Sequence, residues 1–230
     1  MRPVHIIGTG PAVRSFRTDS SAGSAADIER LPDSVEPTAL EHWVADLREQ
    51  LPQLRYVTVF GSATPEGSDD AAWHSVGANL HEFGAGVMTG GYAGAMELVA
   101  QSAARAGGVS VGIRAAGLMD PSDPEAYSHV VELPDVFVRL QALLLLGDAF
   151  IVLPGGIGTM VELTSLLWQV ARQFMPPKPV FLVGDHWTQF VALLERDPMA
   201  FRSSAAMVLS MLTPVDQPAE LVAKLRSALT

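Results

Sequence analysis

Two side chains, Glu162 and Arg139, have chemistry to offer because of where they stand. Glu162 closes the run Pro154-Gly155-Gly156-Ile157-Gly158-Thr159-Met160-Val161-Glu162, which follows five apolar residues, Ala149 to Leu153. The apolar run reads as a strand buried on both faces, and the glycines then turn the chain. Met160, Leu163, Leu167 and Val170 recur at helical spacing, so a helix is expected next. Strand, glycine turn and helix start together present unpaired backbone N–H groups and the positive end of a helix dipole. Gly155, Gly156 and Gly158 carry no Cβ to hold a ligand off. That geometry suits a phosphate, with Thr159 at its edge. A carboxylate in the first helical turn, beside that pocket, could stabilise developing positive charge and activate water. Thr159-x-x-Glu162 is equally a capping box, in which the glutamate satisfies the Thr159 backbone N–H, and spacing alone leaves both roles open. Arg139 keeps its charge, as arginine does in proteins, so it can orient anionic oxygens and is not a general acid. Its alternative is a surface arginine on an amphipathic helix, but the apolar stretch Ala142 to Leu146 that follows favours function.

The stretch PGGIGTMVE resembles the PGGxGTxxE motif of the LOG family of nucleoside 5′-monophosphate phosphoribohydrolases, a group also described as lysine decarboxylase-like. Met88-Thr89-Gly90-Gly91-Tyr92-Ala93-Gly94-Ala95-Met96-Glu97 is similar to that family's GGGxxGxM loop, and Arg139 stands where its members carry an arginine followed by lysine. Leu140 takes the place of that lysine, and Val161 that of the first of two glutamates common in plant-type members. The resemblance covers roughly Arg55 to Thr230. It implies a Rossmann-like fold, Glu162 and Arg139 as catalytic residues, and hydrolysis of the N-glycosidic bond of a nucleoside 5′-monophosphate. The nucleotide is expected to be a purine one, such as AMP, giving free base and ribose 5-phosphate without metal or redox cofactor in a homodimer or higher homo-oligomer. Related molybdenum-cofactor carriers supply the alternative, a non-catalytic binding or carrier protein for a nucleotide or a nucleotide-like cofactor. A decarboxylase reading fails on the residues themselves. Pyridoxal phosphate chemistry needs a Schiff-base lysine, and the only lysines, Lys178 and Lys224, adjoin neither glycine loop.

The elements that must position these groups read as strand, glycine turn and helix in alternation. Tyr56 to Phe60 is a strand delivering Gly61-Ser62, a further candidate ligand contact, and Asp70 to Phe83 is a helix closed by Gly84-Ala85-Gly86. Val87 to Thr89 is a strand, Gly90-Gly91 a turn placed to help hold the phosphate, and Ala93 to Ala106 a helix. Val109 to Ile113 and His129 to Leu133 are strands, and Asp135 to Leu146 is the helix that carries Arg139. Pro179 to Val183 is a strand, Trp187 to Leu194 a helix, Met207 to Leu212 a strand or buried segment, and Ala219 to Leu229 a closing helix. This alternation predicts a doubly wound α/β fold, a parallel sheet with helices on both faces and ligands at the carboxyl ends of the strands. Arg114 to Ser128, with Gly117, Pro121 and Pro124, reads as a long loop over the crevice that selects the base.

Residues 1–37 form an N-terminal extension, with a strand at Val4 to Ile7 added to the sheet edge and a flexible arm around Ser20 to Ser24, before a domain over 38–230 whose first helix is Thr38 to Leu51. Gly8-Thr9-Gly10 begins a dinucleotide fingerprint but lacks its third glycine, Val13 standing there instead. At 230 residues with 48% hydrophobic side chains the chain buries a full core. Fifteen basic against 25 acidic side chains give a net charge of −10, which repels nucleic acid and leaves any anion to be held by local geometry. No cysteine is present, which excludes thiolate catalysis and sulfur-ligated metals. His74 and His81 are read as surface histidines with no metal-binding company. No apolar run approaches the roughly 18 residues that span a bilayer and no signal-peptide pattern opens the chain, so a cytoplasmic protein away from membranes is expected.

Overall fold

A computed structural model describes residues 4–9, 12–16, 37–51, 53, 55–63, 70–118, 126–196, 204–216 and 218–229. The chain opens with strands β1 (Val4–Thr9) and β2 (Ala12–Phe16) and helix α1 (Pro37–Gln50). The alternation follows as β3 (Arg55–Phe60), α2 (Asp70–Glu82), β4 (Ala85–Thr89), α3 (Ala95–Arg105), β5 (Ser110–Ala115), β6 (His129–Leu133), α4 (Val136–Leu146) and β7 (Ala149–Val152). The chain then continues through α5 (Ile157–Ala171), β8 (Val180–Val183), α6 (Asp185–Arg196), α7 (Ala205–Ser210), β9 (Leu212–Val215) and α8 (Pro218–Leu229).

One nine-stranded sheet results, in the order β2-β1-β6-β5-β4-β3-β7-β8-β9. Only β1 and β2 pair antiparallel; the other neighbours are parallel. Strands buried on both faces need mostly apolar residues, and β3 and β7 supply them, the one buried polar side chain, Thr58, donating to Leu143 O. Tyr56, Phe60, Phe150 and Val152 face the core under α1, α4, α5, α6 and α7, while Val57, Val59, Ala149 and Ile151 face the one under α2, α3 and α8. The strand order runs outward from β3 to β6 on one side and from β7 to β9 on the other. The reversal falls between β3 and β7, where a doubly wound sheet opens a crevice at the carboxyl ends of its strands.

Four boundaries differ from the sequence reading. The edge strand is β2, with β1 lying inside it against β6; Gly8 and Thr9, the first two residues of the fingerprint-like run, belong to β1 and pair with Val13 and Ala12, and Gly10 lies outside the described residues. Residues 17–36, including Ser20 to Ser24, lie outside the described residues. Arg114 and Ala115 are the last residues of β5, paired with Glu132 and Leu133 of β6, so the crevice loop cannot begin at Arg114; 119–125 lie outside the described residues. Met207 to Leu212 divides into α7 and β9, because the same apolar run serves a helical face up to Ser210 and a strand from Leu212. Ala85 and Gly86 belong to β4, leaving only Gly84, at φ 71°, to close α2. No helix among the described residues is long and apolar enough to cross a membrane.

Candidate active site

The crevice is laid out by backbone bonds between the two strand ends at the switch point. Leu153 N–H donates to Phe60 O at 2.8 Å and Ser62 N–H to Pro154 O at 3.1 Å, so Gly61-Ser62 and Pro154-Gly155 run side by side. A Cβ on Gly155 would collide with Thr159 Oγ1 and come within 3.1 Å of Ser62 N; only glycine lets the Thr159 side chain tuck under the turn, where it is buried. Thr159 therefore does not cap the helix. The N-cap of α5 is Gly156, without a side-chain bond, and the first intrahelical bond runs from Met160 N–H to Gly156 O at 3.1 Å. The N–H groups of Ile157, Gly158 and Thr159 are thus left without intrahelical acceptors at the positive end of the dipole. Among the described residues no tertiary neighbour lies within 4 Å of where a Cβ would stand on Gly156 or Gly158, which leaves the approach to those groups open on that side. The capping-box alternative falls with this register: Glu162 lies in the second turn of α5, not the first, and its side chain turns inward.

Glu162 meets Arg139 there. Asp135 caps α4, accepting from Phe137 N–H at 2.7 Å and Val138 N–H at 3.0 Å, and this fixes the turn from which Arg139 reaches across. Arg139 Nε donates to Ile113 O at 2.9 Å, its guanidinium lies 5.3 Å from the Tyr92 ring centroid, and Nη1 donates to Glu162 Oε1 at 3.3 Å. Both side chains are buried, Arg139 5% and Glu162 8% exposed. At 3.3 Å the bond is longer than the ~2.8 Å of a tight charge-assisted pair, so it offsets only part of the burial penalty. Burial pushes the Glu162 carboxyl up to about 7 against the opposing pull of the Arg139 charge and hydrogen bond. A carboxyl group poised there can take up or release a proton near neutrality.

The second glycine turn is built differently. Arg139 Nη2 presses on Gly90 so closely that a Cβ there would overlap it, and a Cβ on Gly91, at φ 75°, would lie 2.6 Å from Arg114 Cγ. Gly91 N–H donates to Thr89 Oγ1 at 3.0 Å, and that oxygen lies 3.0 Å from the Tyr127 hydroxyl. The space above Gly90 and Gly91 is filled by arginine side chains, so the turn supports Arg139 where the sequence suggested it would hold phosphate. The N-terminus of α3 is likewise closed. Its N-cap Gly94, at φ 83°, abuts the backbone of Ser62 and Ala63.

Sequence reasoning placed Arg139, Glu162 and the Gly155–Thr159 turn at one site, and the structure brings them together with Gly61, Ser62 and Gly90. It missed the direct pairing of Arg139 with Glu162 and the roles of Thr89, Tyr92, Arg114 and Tyr127; the one available signal was a charged Arg114 directly after the apolar strand run. Leu140 packs on the core and Val161 is exposed and apolar, so neither brings a charge to the site. Lys178 Nζ donates to Leu144 O, Leu145 O and Gly147 O at the end of α4, at the amino edge of the sheet, and Lys224 pairs with Glu220 at 2.7 Å. Neither reaches the glycine turns. His74 and His81 are half-buried between α2 and the α3 region, not fully solvated, and no cluster of metal-ligating side chains occurs among the described residues.

Fold and site define a doubly wound α/β protein with a glycine turn at a helix N-terminus and a buried carboxylate–arginine pair at its switch point. Residues 96–225 match the family described as "possible lysine decarboxylase", and the chain belongs to this LOG-like family. It is 38% identical over 100 residues to the cytokinin riboside 5′-monophosphate phosphoribohydrolase LOG5 of Arabidopsis thaliana, 43% of each chain. It is 35% identical over 109 residues to a cytokinin riboside 5′-monophosphate phosphoribohydrolase of Mycobacterium tuberculosis, 46% of this chain and 57% of that one. The matches thus span about half the length of these curated relatives. Solved structures of similar fold include the molybdenum cofactor binding protein of Rippkaea orientalis, with TM-score 0.58 and 22% identity over 78% of this chain and 100% of that one. The molybdenum cofactor carrier protein of Chlamydomonas reinhardtii has TM-score 0.59 and 19% identity over 76% of this chain and 98% of that one. At these identities the likeness is one of fold.

Proposed function

We propose that the protein hydrolyses the N-glycosidic bond of a nucleoside 5′-monophosphate, a purine nucleotide such as AMP being favoured, to free base and ribose 5-phosphate. The observation that carries this reading is a carboxyl group with a pKa of about 7, buried against an arginine, one turn beyond an open helix N-terminus. The 5′-phosphate rests on the N–H groups of Ile157, Gly158 and Thr159, with Gly61 and Ser62 forming the opposite lip and Gly155 keeping the two close. The ribose then lies toward Glu162. As the C1′–N bond breaks, its electron pair leaves with the base, and ionised Glu162 stabilises the positive charge left on the sugar. Water adds to C1′, Glu162 accepts its proton, and the departing base nitrogen is protonated in turn, so one water is consumed per bond. Arg139 donates to ribose or phosphate oxygens while holding the carboxylate. Relatives named as phosphoribohydrolases support the reaction class.

Release of free base from a panel of nucleoside monophosphates tests the reading. Glu162→Gln keeps the side-chain shape and removes the charge; base release should fall by roughly 10²–10³ with nucleotide affinity preserved. Parent protein that binds nucleotides tightly and hydrolyses none would favour the carrier role instead.

The working unit proposed is a homodimer joined through the outer face of α4 and α5. Val136, Phe137, Ile157, Val161 and Trp168 are exposed there, and the two charged residues of these helices, Arg139 and Glu162, are buried. Two chains each of net charge −10 meet with least repulsion on such a neutral face, and an apolar patch of this kind marks an interaction site. Sedimentation should show a dimer that Phe137→Glu converts to monomer; a parent monomer would refute the assembly.

A further inference from the structure

The last three residues of β5 each hold a different part of the candidate site. Ile113 O accepts from Arg139 Nε at 2.9 Å; Arg114 Nε donates to Gly91 O at 3.0 Å; Ala115 N–H donates to the Tyr92 hydroxyl at 3.1 Å. Tyr92 in turn lies beneath the Arg139 guanidinium, and Gly90 is the surface on which that guanidinium rests. Of the three, only the Arg114 contact depends on a side chain of β5. Its stem packs on Gly91, its guanidinium lies 5.8 Å from the Tyr127 ring centroid, and Tyr127, Tyr92, Glu132 and Glu97 offset the cost of its partial burial.

We propose that Arg114 is a positioning residue: by holding the Gly91 carbonyl it fixes the Gly90-Gly91-Tyr92 turn, and so holds Arg139 in register with Glu162. A left-handed glycine between two further residues is the weak joint of this turn, since glycine is free to rotate where other residues are not. A bond from strand to turn removes that freedom. If the turn relaxes, the Arg139 guanidinium loses both its floor at Gly90 and its stacking partner at Tyr92. This inference rests on the reading of Arg139 and Glu162 as the reacting pair.

Three substitutions separate the bond from the charge. In Arg114→Met the stem remains but a methyl replaces Nε; in Arg114→Gln an amide nitrogen takes the Nε position without charge; Arg114→Lys keeps charge but has a carbon there. The expected result is a kcat for base release lowered on the order of 10²-fold in Met and Lys, as for a displacement of about 1 Å near a reacting group, with KM little changed and most of the loss recovered in Gln. Recovery by Lys in place of Gln, with the effect in KM, would make Arg114 a direct anion contact and overturn the proposal. Equal kcat in all three variants with only lowered melting temperatures would overturn it as well. The Gln and Lys proteins alone suffice if the Met protein does not fold. A second readout needs no turnover: the Glu162 carboxyl, followed by 13C NMR, faces Arg139 of α4, and its midpoint should rise in Lys and stay at the parent value in Gln. An unchanged midpoint in Lys would refute positioning, whereas a parent protein inert toward every nucleotide would refute the reaction and leave the midpoint to decide the role of Arg114.

Discussion

Around Gly90 and Gly91 the space a Cβ would take is occupied by Arg139 and Arg114, whereas a Cβ on Gly156 or Gly158 would meet no tertiary neighbour within 4 Å among the described residues. Both turns follow buried parallel strands and lead toward helix starts, and both are needed where the backbone must be approached closely. In the first the approach comes from the protein's own side chains, which press a guanidinium onto the turn and aim it at Glu162. In the second no described side chain makes the approach, which is the side proposed for the ligand. A glycine-rich turn at a strand end is therefore two different devices, and the deciding quantity is what stands over it.

Gly90→Ala should break the contrast most severely. The new methyl overlaps Arg139 Nη2, the end of a side chain held at three points, so relief requires moving Arg139 away from Glu162. Overpacking of this kind costs about 1–3 kcal/mol, and displacing Arg139 from Glu162 should lower base release by roughly 10²-fold or more. Thermal unfolding and steady-state assay check both. A folded Gly90→Ala protein of parent activity would mean that Arg139 does not depend on this turn.

The filled turn also sets the working pH. Glu162 is ionised only above about 7, because burial raises its pKa more than Arg139 lowers it. If the ionised form acts, kcat should fall tenfold per pH unit below about 7, and the residual rate of Glu162→Gln should be flat over the same range. Stability runs the other way. The folded pKa lies above the unfolded value, so this group's contribution is fully present below about 4.5 and is lost as pH rises through about 7. A rate profile that rises on acidification would assign Glu162 to proton donation instead.

How far the site was legible in the sequence follows from what each signal measures. An apolar run, a glycine cluster and a helical period are local, and they located β7 to within a residue and placed the turn and the body of α5. The start of α5 was misread because Thr159 and Glu162 have capping-box chemistry at capping-box spacing, while the true cap, Gly156, has no side chain to advertise it. The pairing of Arg139 with Glu162 joins residues 23 apart through the packing of α4 beside α5, and no local pattern encodes it. Arg114 was assigned to a loop because Gly117 and the prolines beyond it pull a composition-based boundary back, although pairing with Glu132 keeps it in the sheet.

The smallest expected effect falls on the open turn, at Gly158→Ala. Gly158 is the second residue of α5 and its Cβ position meets no tertiary neighbour among the described residues, so the substitution introduces no clash with them. Alanine also favours the helix over glycine by up to about 1 kcal/mol, which makes an unchanged or slightly raised melting temperature the expected result. The methyl instead stands beside the N–H groups proposed to hold the phosphate. Roughly tenfold weaker binding of ribose 5-phosphate, a loss of about 1.4 kcal/mol, is the expected size for one crowded contact among several. Calorimetric titration of the phosphorylated and unphosphorylated sugar sharpens the test, since only the former should be affected. If both bind the variant as they bind the parent, the anion sits elsewhere, and the open turn would be left as a helix start without a ligand.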